Sequence, residues 1–263
     1  MKIEEKIKAK YLYKDKLNII KILYFFFQFL KSKFKPRIIN ANWGLDIVIN
    51  AIFKDKKKGI YIDIGCHHPL INNNTYILYK RGWNGINVDL DFSSIEMFNF
   101  FRPNDFNCKV ALSDKKGESD LFFFHNRAPK NTLNKINGKG AKLVKKIKTD
   151  TLDNIIKQSK LSIKEIDFLS IDVEGNELEV LKGFNIKKYN PKVVVLEFID
   201  KKNNFFYKQE INNIQKSPLY KHMIRNKYKL SNWIHDDLVF VSRKFIKKRW
   251  FQLLYLLLTT WII

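Results

Sequence analysis

The sequence predicts an open, doubly wound α/β sheet, mostly parallel, with an antiparallel hairpin at one edge. Short apolar runs with an acid at or just beyond their end recur at Ile60–Ile64, 86–88 and Phe168–Ile171, and each is followed by a turn and a helical pattern. Alternation of this kind builds parallel sheets whose strand ends form the rim of a ligand crevice. Residues 229–233 and 238–242, joined through His235-Asp236-Asp237, read as a closing hairpin.

Taken in order, the first 35 or so residues read as a Lys-rich helix broken by Pro36. A helix over 46–53 and a charged turn lead into the strand Ile60–Ile64; a helix over 75–80 and the turn Arg81-Gly82-Trp83-Asn84-Gly85 lead into a strand ending at Asp89. A helix near 94–101 and one strand over 107–112 complete a β-α-β-α-β run, and 119–124 adds a further strand. Residues 126–148, rich in Lys, Asn and Gly, read as a mobile insertion beside the acceptor pocket. Asp150-Thr151-Leu152-Asp153 reads as a helix cap leading into 155–158. The strand Phe168–Ile171 passes through 172–175 into the helix Glu177–Lys182, with Gly183 as its C-terminal cap. A strand over 193–198 follows, and Ser217-Pro218 opens a helix because Pro is tolerated at its first position. The organisation expected is an N-terminal helical extension over 1–40, one catalytic domain over 41–245 and a basic-apolar tail over 246–263.

Composition narrows the classes. A chain of 263 residues with 45% hydrophobic content supports one sizeable core. Two cysteines, Cys66 and Cys108, with no CxxC, support neither a disulfide framework nor structural zinc. The net charge of +23 would suit a polyanion, but only seven of the 49 basic residues are Arg, and an A/T-rich coding bias accounts for Lys beside Asn and Ile. No aromatic-interleaved RNA-binding signature or Cys/His finger accompanies the charge, so no specific nucleic-acid partner is expected. Residues 17–30 contain Lys21 and lack a signal-peptide cleavage pattern, which fits a cytoplasmic chain. Residues 250–263 are uncharged and mostly apolar after a basic cluster; at about 1.5 Å per residue they fall short of a ~30 Å hydrocarbon core. They suit attachment to a membrane surface, or packing against 17–30 or a second subunit.

The chemistry-bearing candidates sit at strand ends. Asp63 and Gly65 close the first strand, and the dinucleotide fingerprint GxGxxG is absent because His67 and Pro69 hold its later positions. Asp89 ends the second strand, where an acid accepts hydrogen bonds from ribose hydroxyls; Asp91 could take that role instead. Asp172 and Glu174, two residues apart on an extended segment, point to one side. One could act as general base, and the pair could hold a divalent metal, although no metal ligand set is identified. Glu197 is a further rim acid or the partner of a Lys, and His67 and His68 read as hydrogen-bonding loop residues.

Several segments together resemble the FkbM family of S-adenosylmethionine-dependent methyltransferases, over roughly residues 60–198 with a weaker tail to 241. They are Tyr61-Ile62-Asp63-Ile64-Gly65-Cys66-His67, Asn73-Asn74-Thr75-Tyr76, Gly82-Trp83-Asn84-Gly85-Ile86-Asn87-Val88-Asp89, Val110-Ala111-Leu112-Ser113, Thr151-Leu152-Asp153 and Ile171-Asp172-Val173-Glu174-Gly175-Asn176-Glu177. The resemblance implies a class I, Rossmann-like methyltransferase fold. It implies S-adenosyl-L-methionine held around Asp63, Gly65, Cys66, His67, Thr75, Asp89, Ser113 and Asp172, with Asp172 and Glu174 as catalytic candidates. Cys66 stands where the family commonly has Ala, and Leu90-Asp91-Phe92 replaces its Pro-Asn-Pro. The activity expected is O-methylation of a sugar, glycan or small metabolite. A non-catalytic binding module or membrane scaffold is the alternative from another class; a nucleic-acid methyltransferase lacks an Asn/Asp-Pro-Pro-aromatic motif, and an NAD oxidoreductase lacks the glycine fingerprint.

Overall fold

A computed structural model describes residues 19–34, 39–125, 131–159, 161–198 and 210–248. The central sheet is built from β1 (Ile60–Ile64), β2 (Asn84–Asp89), β3 (Phe106–Lys109), β7 (Phe168–Ile171), β8 (Val193–Glu197), β9 (Tyr228–Ile234) and β10 (Asp237–Ser242). Their order is β3-β2-β1-β7-β8-β10-β9. All neighbours are parallel except β10, which runs antiparallel to β8 and β9. From β1 the chain winds outward to β2 and β3, then returns to β7 and winds the other way. Winding therefore reverses between β1 and β7, and crevices open at the strand C-termini of such a switch point. This is the class I methyltransferase arrangement that the sequence predicts.

Strand alternation sorts the core into two layers. Tyr61, Phe168, Val193, Val195, Val239 and Val241 face α2 (Leu45–Ile52) and α3 (Tyr76–Lys80). Ile62, Ile64, Ile86, Val88, Leu169, Ile171, Val194 and Leu196 face the opposite layer. That layer includes α5 (Leu152–Gln158), α6 (Glu177–Lys182), α7 (Ile186–Tyr189), α8 (Ile211–Lys216) and α9 (Pro218–Arg225). The first described helix, α1 (Ile19–Phe34), sits on α4 (Phe92–Phe101): Tyr24 and Phe25 pack with Met97, and Lys21 pairs with Glu96 at 3.1 Å. The described helix α1 is thus docked on α4. Burial of Lys21 is tolerated because the ammonium meets a carboxylate while its methylenes pack.

Several sequence expectations change here. The single strand expected over 107–112 is two, because after Val110 donates to the Asp89 carbonyl the chain leaves β2. Its continuation, β4 (Ala111–Leu112), joins a second sheet of order β4-β6-β5 with β5 (Gly117–Phe123) and β6 (Leu143–Asp150). The insertion expected to be mobile over 126–148 therefore contributes six residues of β6, antiparallel to β5, and its part over 131–142 is folded into turns, while 126–130 lie outside the described residues. Asp150 closes β6, and Thr151 caps α5 by accepting from the Asn154 N–H at 3.2 Å. Gly183 is not left-handed (φ −78°); a Cβ there would lie 2.2 Å from the Ser113 carbonyl oxygen, so close approach of β4 demands the glycine. The short helices α7 and α8 carry too few turns for periodicity to reveal them.

Candidate active site

At the end of β1, Asp63 turns toward the α3 layer and is buried. Its Oδ2 accepts from Asn73 Nδ2 at 2.9 Å and Thr75 Oγ1 at 2.8 Å. Behind them lies Arg102, fully buried, which donates to Thr75 Oγ1 and Asn73 Oδ1, both at 2.8 Å, and to the Pro69 carbonyl. Its guanidinium also lies 4.8 Å from the Phe98 ring centroid. Burial raises the Asp63 carboxyl pKa, and the bonds from Thr75 and Asn73 and the charge of Arg102 oppose that rise. Asp63 and Thr75 thus tie the loop after β1 to α3 from the inside. Arg102 escaped sequence reading; its signal was an arginine in a chain that uses lysine almost everywhere else. A planar fork with five donors does here what a lysine ammonium cannot.

Gly65 has φ +74°, and a Cβ on it would fall 1.7 Å from the Asp172 carbonyl oxygen. The glycine is needed for the approach of β1 to β7, the switch point itself, rather than for an approach to ligand alone. Cys66 is buried against Ile95 and Phe98, and burial pushes its thiol pKa up. Its side chain is a packing group. The His68 ring accepts the Leu70 and Ile71 N–H groups at 3.1 and 3.2 Å through Nδ1, which makes it a loop former.

Asp89, at the end of β2, is partly exposed. Its Oδ2 accepts the His67 N–H at 2.8 Å and its Oδ1 the Asp91 N–H at 2.7 Å. Asp91 is differently employed: it caps α4 by accepting the Ser94 N–H at 2.9 Å. A partly exposed carboxylate at the end of a strand is an acceptor of the kind that receives vicinal hydroxyls. Ser113 follows β4, beside Asn176, whose Nδ2 donates to the Leu112 carbonyl at 3.2 Å.

Across the switch point the acids are crowded. One carboxylate oxygen from each of Asp172, Glu174 and Glu197 lies within 4.8 Å of the others. Asp172 is open to water although protein surrounds it closely; Glu197 is buried. Desolvation, then Glu174, Asp237 and Glu177, push the Asp172 pKa well above the ordinary carboxylate range. Desolvation followed by Asp172 and Glu174 lifts Glu197 to about 11, and desolvation with Asp236 lifts Asp237 to about 7. With no cation among these oxygens, that rise favours the protonated form of Glu197.

The turn carrying Glu174 is held from both sides. Glu177 Oε1 accepts the Val173 and Gly175 N–H groups at 3.1 and 2.9 Å. From the insertion, Thr132 Oγ1 at 2.9 Å and Asn137 Nδ2 donate to the Glu174 carbonyl, and Asn134 Nδ2 donates to that of Gly175 at 2.6 Å. These contacts keep Glu174 at φ +58°, a left-handed conformation costly for a residue with a side chain. Sequence reading missed the clamp because its three residues lie about forty positions upstream. Above the acids, the β9–β10 turn carries His235, stacked on exposed Trp43 with centroids 4.2 Å apart.

An open sheet of this strand order, with an acid at the end of β2 and carboxylates after β7, is the Rossmann-like, class I methyltransferase arrangement. Residues 63–226 match the family model described as the methyltransferase FkbM domain, and the chain belongs to that family. Solved structures similar to it include a TehB-like SAM-dependent methyltransferase from Corynebacterium glutamicum ATCC 13032 Kitasato. The TM-score is 0.42 with 11% identity, over 85% of this chain and 98% of that one. The O-methyltransferase from Bacillus cereus in complex with SAH gives a TM-score of 0.34 and 8% identity, over 92% and 97%. No curated protein matches by sequence. The family implies S-adenosylmethionine as methyl donor, and the residues fit it: Asp89 can receive ribose hydroxyls, and the acids after β7 favour a sulfonium cation.

Proposed function

We propose that this chain methylates a hydroxyl oxygen of a sugar or glycan. The observation that carries the reading is the carboxylate group at the ends of β7 and β8, with Asp172 reachable from solvent beside Gly65 of the cofactor turn. When bound, S-adenosylmethionine supplies an electrophilic methyl group. Asp89 binds and orients the ribose as a hydrogen-bond acceptor, and Asp63, Asn73 and Thr75 hold the turn beside it. Asp172 takes the acceptor proton; its raised pKa brings it closer to the hydroxyl it must deprotonate. Positioning supplies much of the remaining acceleration. The exposed Trp43 ring offers a flat apolar face of the kind that packs on sugar C–H bonds, which favours a glycan over a small metabolite.

We further propose that residues 250–263 attach to a membrane surface, near a lipid-linked acceptor. Residues 249–263 lie outside the described residues, but α1 turns Ile19, Leu23, Phe26 and Phe27 outward. Among the described residues no helix is long and apolar enough to cross a membrane. Liposome flotation of the full chain and of a chain ending at Lys248 tests attachment; equal flotation by both removes the tail from this role.

The function is tested by melting the protein with S-adenosylhomocysteine or NAD, then assaying labelled methyl transfer to a panel of glycans. S-adenosylhomocysteine should raise the melting temperature and NAD should not. Asp89→Ala should shrink the shift. A full shift in that variant would remove Asp89 from the ribose, and transfer to nitrogen acceptors only would sink the hydroxyl reading.

A further inference from the structure

We propose that Asp172, Glu174 and Glu197 form a binding site for a hard divalent cation, with manganese, magnesium and calcium as the candidate ions. The geometry is that of a ligand set: three residues from three backbone positions each present one oxygen, all within 4.8 Å of one another. Acids often gather without a metal, so clustering alone decides nothing. The deciding feature is Glu197. It is 8% exposed, its carboxyl group points into the cluster, and among the described residues it has neither a hydrogen-bond nor an ion-pair partner. A carboxyl group largely withdrawn from water and left without a protein partner is costly. Asp172, among the described residues, likewise has no such partner.

Lysine was available to settle these charges. The chain holds 49 Lys and Arg, and buried Asp167 receives two ammonium groups, from Lys56 at 2.8 Å and Lys192 at 2.5 Å. A lysine at the cluster would neutralise it permanently and fill the space. A cation bound by three carboxylates instead keeps coordination positions for other oxygens.

The donor set also selects the ion. Three carboxylates without His or Cys suit oxygen-seeking cations over zinc or copper. Oxygens opposite each other lie roughly 4.6–5.2 Å apart across calcium and about 4.0–4.2 Å apart across magnesium. Oxygens all within 4.8 Å of one another are near enough for one ion to bridge them once the side chains close slightly, more so for magnesium than for calcium. The use of the site rests on the proposed methylation of a hydroxyl: an acceptor oxygen entering an open position would lose its proton to Asp172 more readily. Binding of the ion does not rest on it.

The experiment is titration of the chelator-treated full chain with manganese, read by loss of the free-ion electron paramagnetic resonance signal, with magnesium and calcium as competitors. One saturable site is expected, weakened roughly tenfold or more by Glu197→Gln and by Asp172→Asn. Glu179→Gln, on an exposed acid paired with Lys182, should leave it unchanged. Glu197→Gln copies the shape of the protonated acid, and circular dichroism checks that each variant folds. If Glu197 is neutralised by a proton alone, the wild type shows no saturable binding or Glu197→Gln binds as it does, and either result overturns the site. The S-adenosylhomocysteine shift is read on the same samples. A shift without manganese binding defeats the cation site and leaves the methyltransferase reading; manganese binding without a shift does the reverse.

Discussion

The two ends of β7 carry acids five residues apart and treat them in opposite ways. Asp167, before the strand, is buried; Lys56 and Lys192 pair with it and it accepts the Ile60 N–H at 3.0 Å. Asp172, after the strand, faces water among Glu174, Glu197, Asp236 and Asp237. The difference teaches that charge satisfaction in this lysine-rich chain is positional. Where an acid holds strands together it is neutralised, and where ligands enter it is left reactive.

The sharpest way to break that comparison is Asp172→Asn, which keeps shape and removes the base. Turnover should fall by roughly 10²–10⁴ with the cofactor-induced melting shift unchanged. Removing one of several crowded acids should also hold or raise the melting temperature. Residual activity within a few-fold of wild type would take the base role from Asp172.

Arg102→Ala probes the satisfied side at its most connected point. The substitution orphans Asn73, Thr75 and the Pro69 carbonyl around buried Asp63, at a cost of roughly 3–5 kcal/mol in urea unfolding. Arg102→Lys should recover only part of this, because an ammonium does not match the fork. Loss below about 1 kcal/mol would mean that the network is not holding the turn. Asp167→Asn should cost less, roughly 1–3 kcal/mol, since Lys192 is partly solvated and the amide oxygen still accepts from Ile60. Its turnover should match wild type, the reverse of Asp172→Asn.

Much of this contrast was legible in the sequence. The strands β1, β7 and β8 are short apolar runs bounded by polar turns, and each rim acid lies in the last two residues of its strand or directly after it, so Asp63, Asp89, Asp172 and Glu197 could be placed by period and position. What stayed hidden depends on contacts distant in sequence. Arg102 reaches Asn73 and Pro69 about thirty residues upstream, and Asn134 and Asn137 reach Glu174 and Gly175 about forty downstream. The separation of β3 from β4 turns on Val110, whose side chain resembles its neighbours and whose N–H alone marks the departure. Asp91 could be distinguished from Asp89 only by the helix N–H it caps.

The smallest effect concerns pH at the crowded end. Asp237 faces Asp236 on its own turn and Glu197 across β8, and its pKa rises from 3.8 to about 7. The folded chain therefore holds this proton more tightly than the unfolded chain between those values. By linkage, the contribution is present at low pH and lost as pH rises through about 7. From pH 6 to pH 8 the loss is about 1.4 kcal/mol, one tenfold change in proton occupancy. Glu197, lifted to about 11, stays protonated throughout and adds its own slope, so wild type must be read against Asp237→Asn. Urea unfolding in EDTA should show the stability difference, wild type minus variant, falling by that amount from pH 6 to pH 8. An unchanged difference would mean that Asp237 is already ionised at pH 6, and that the acids after β7 and β8 are no more crowded than those the lysines neutralise.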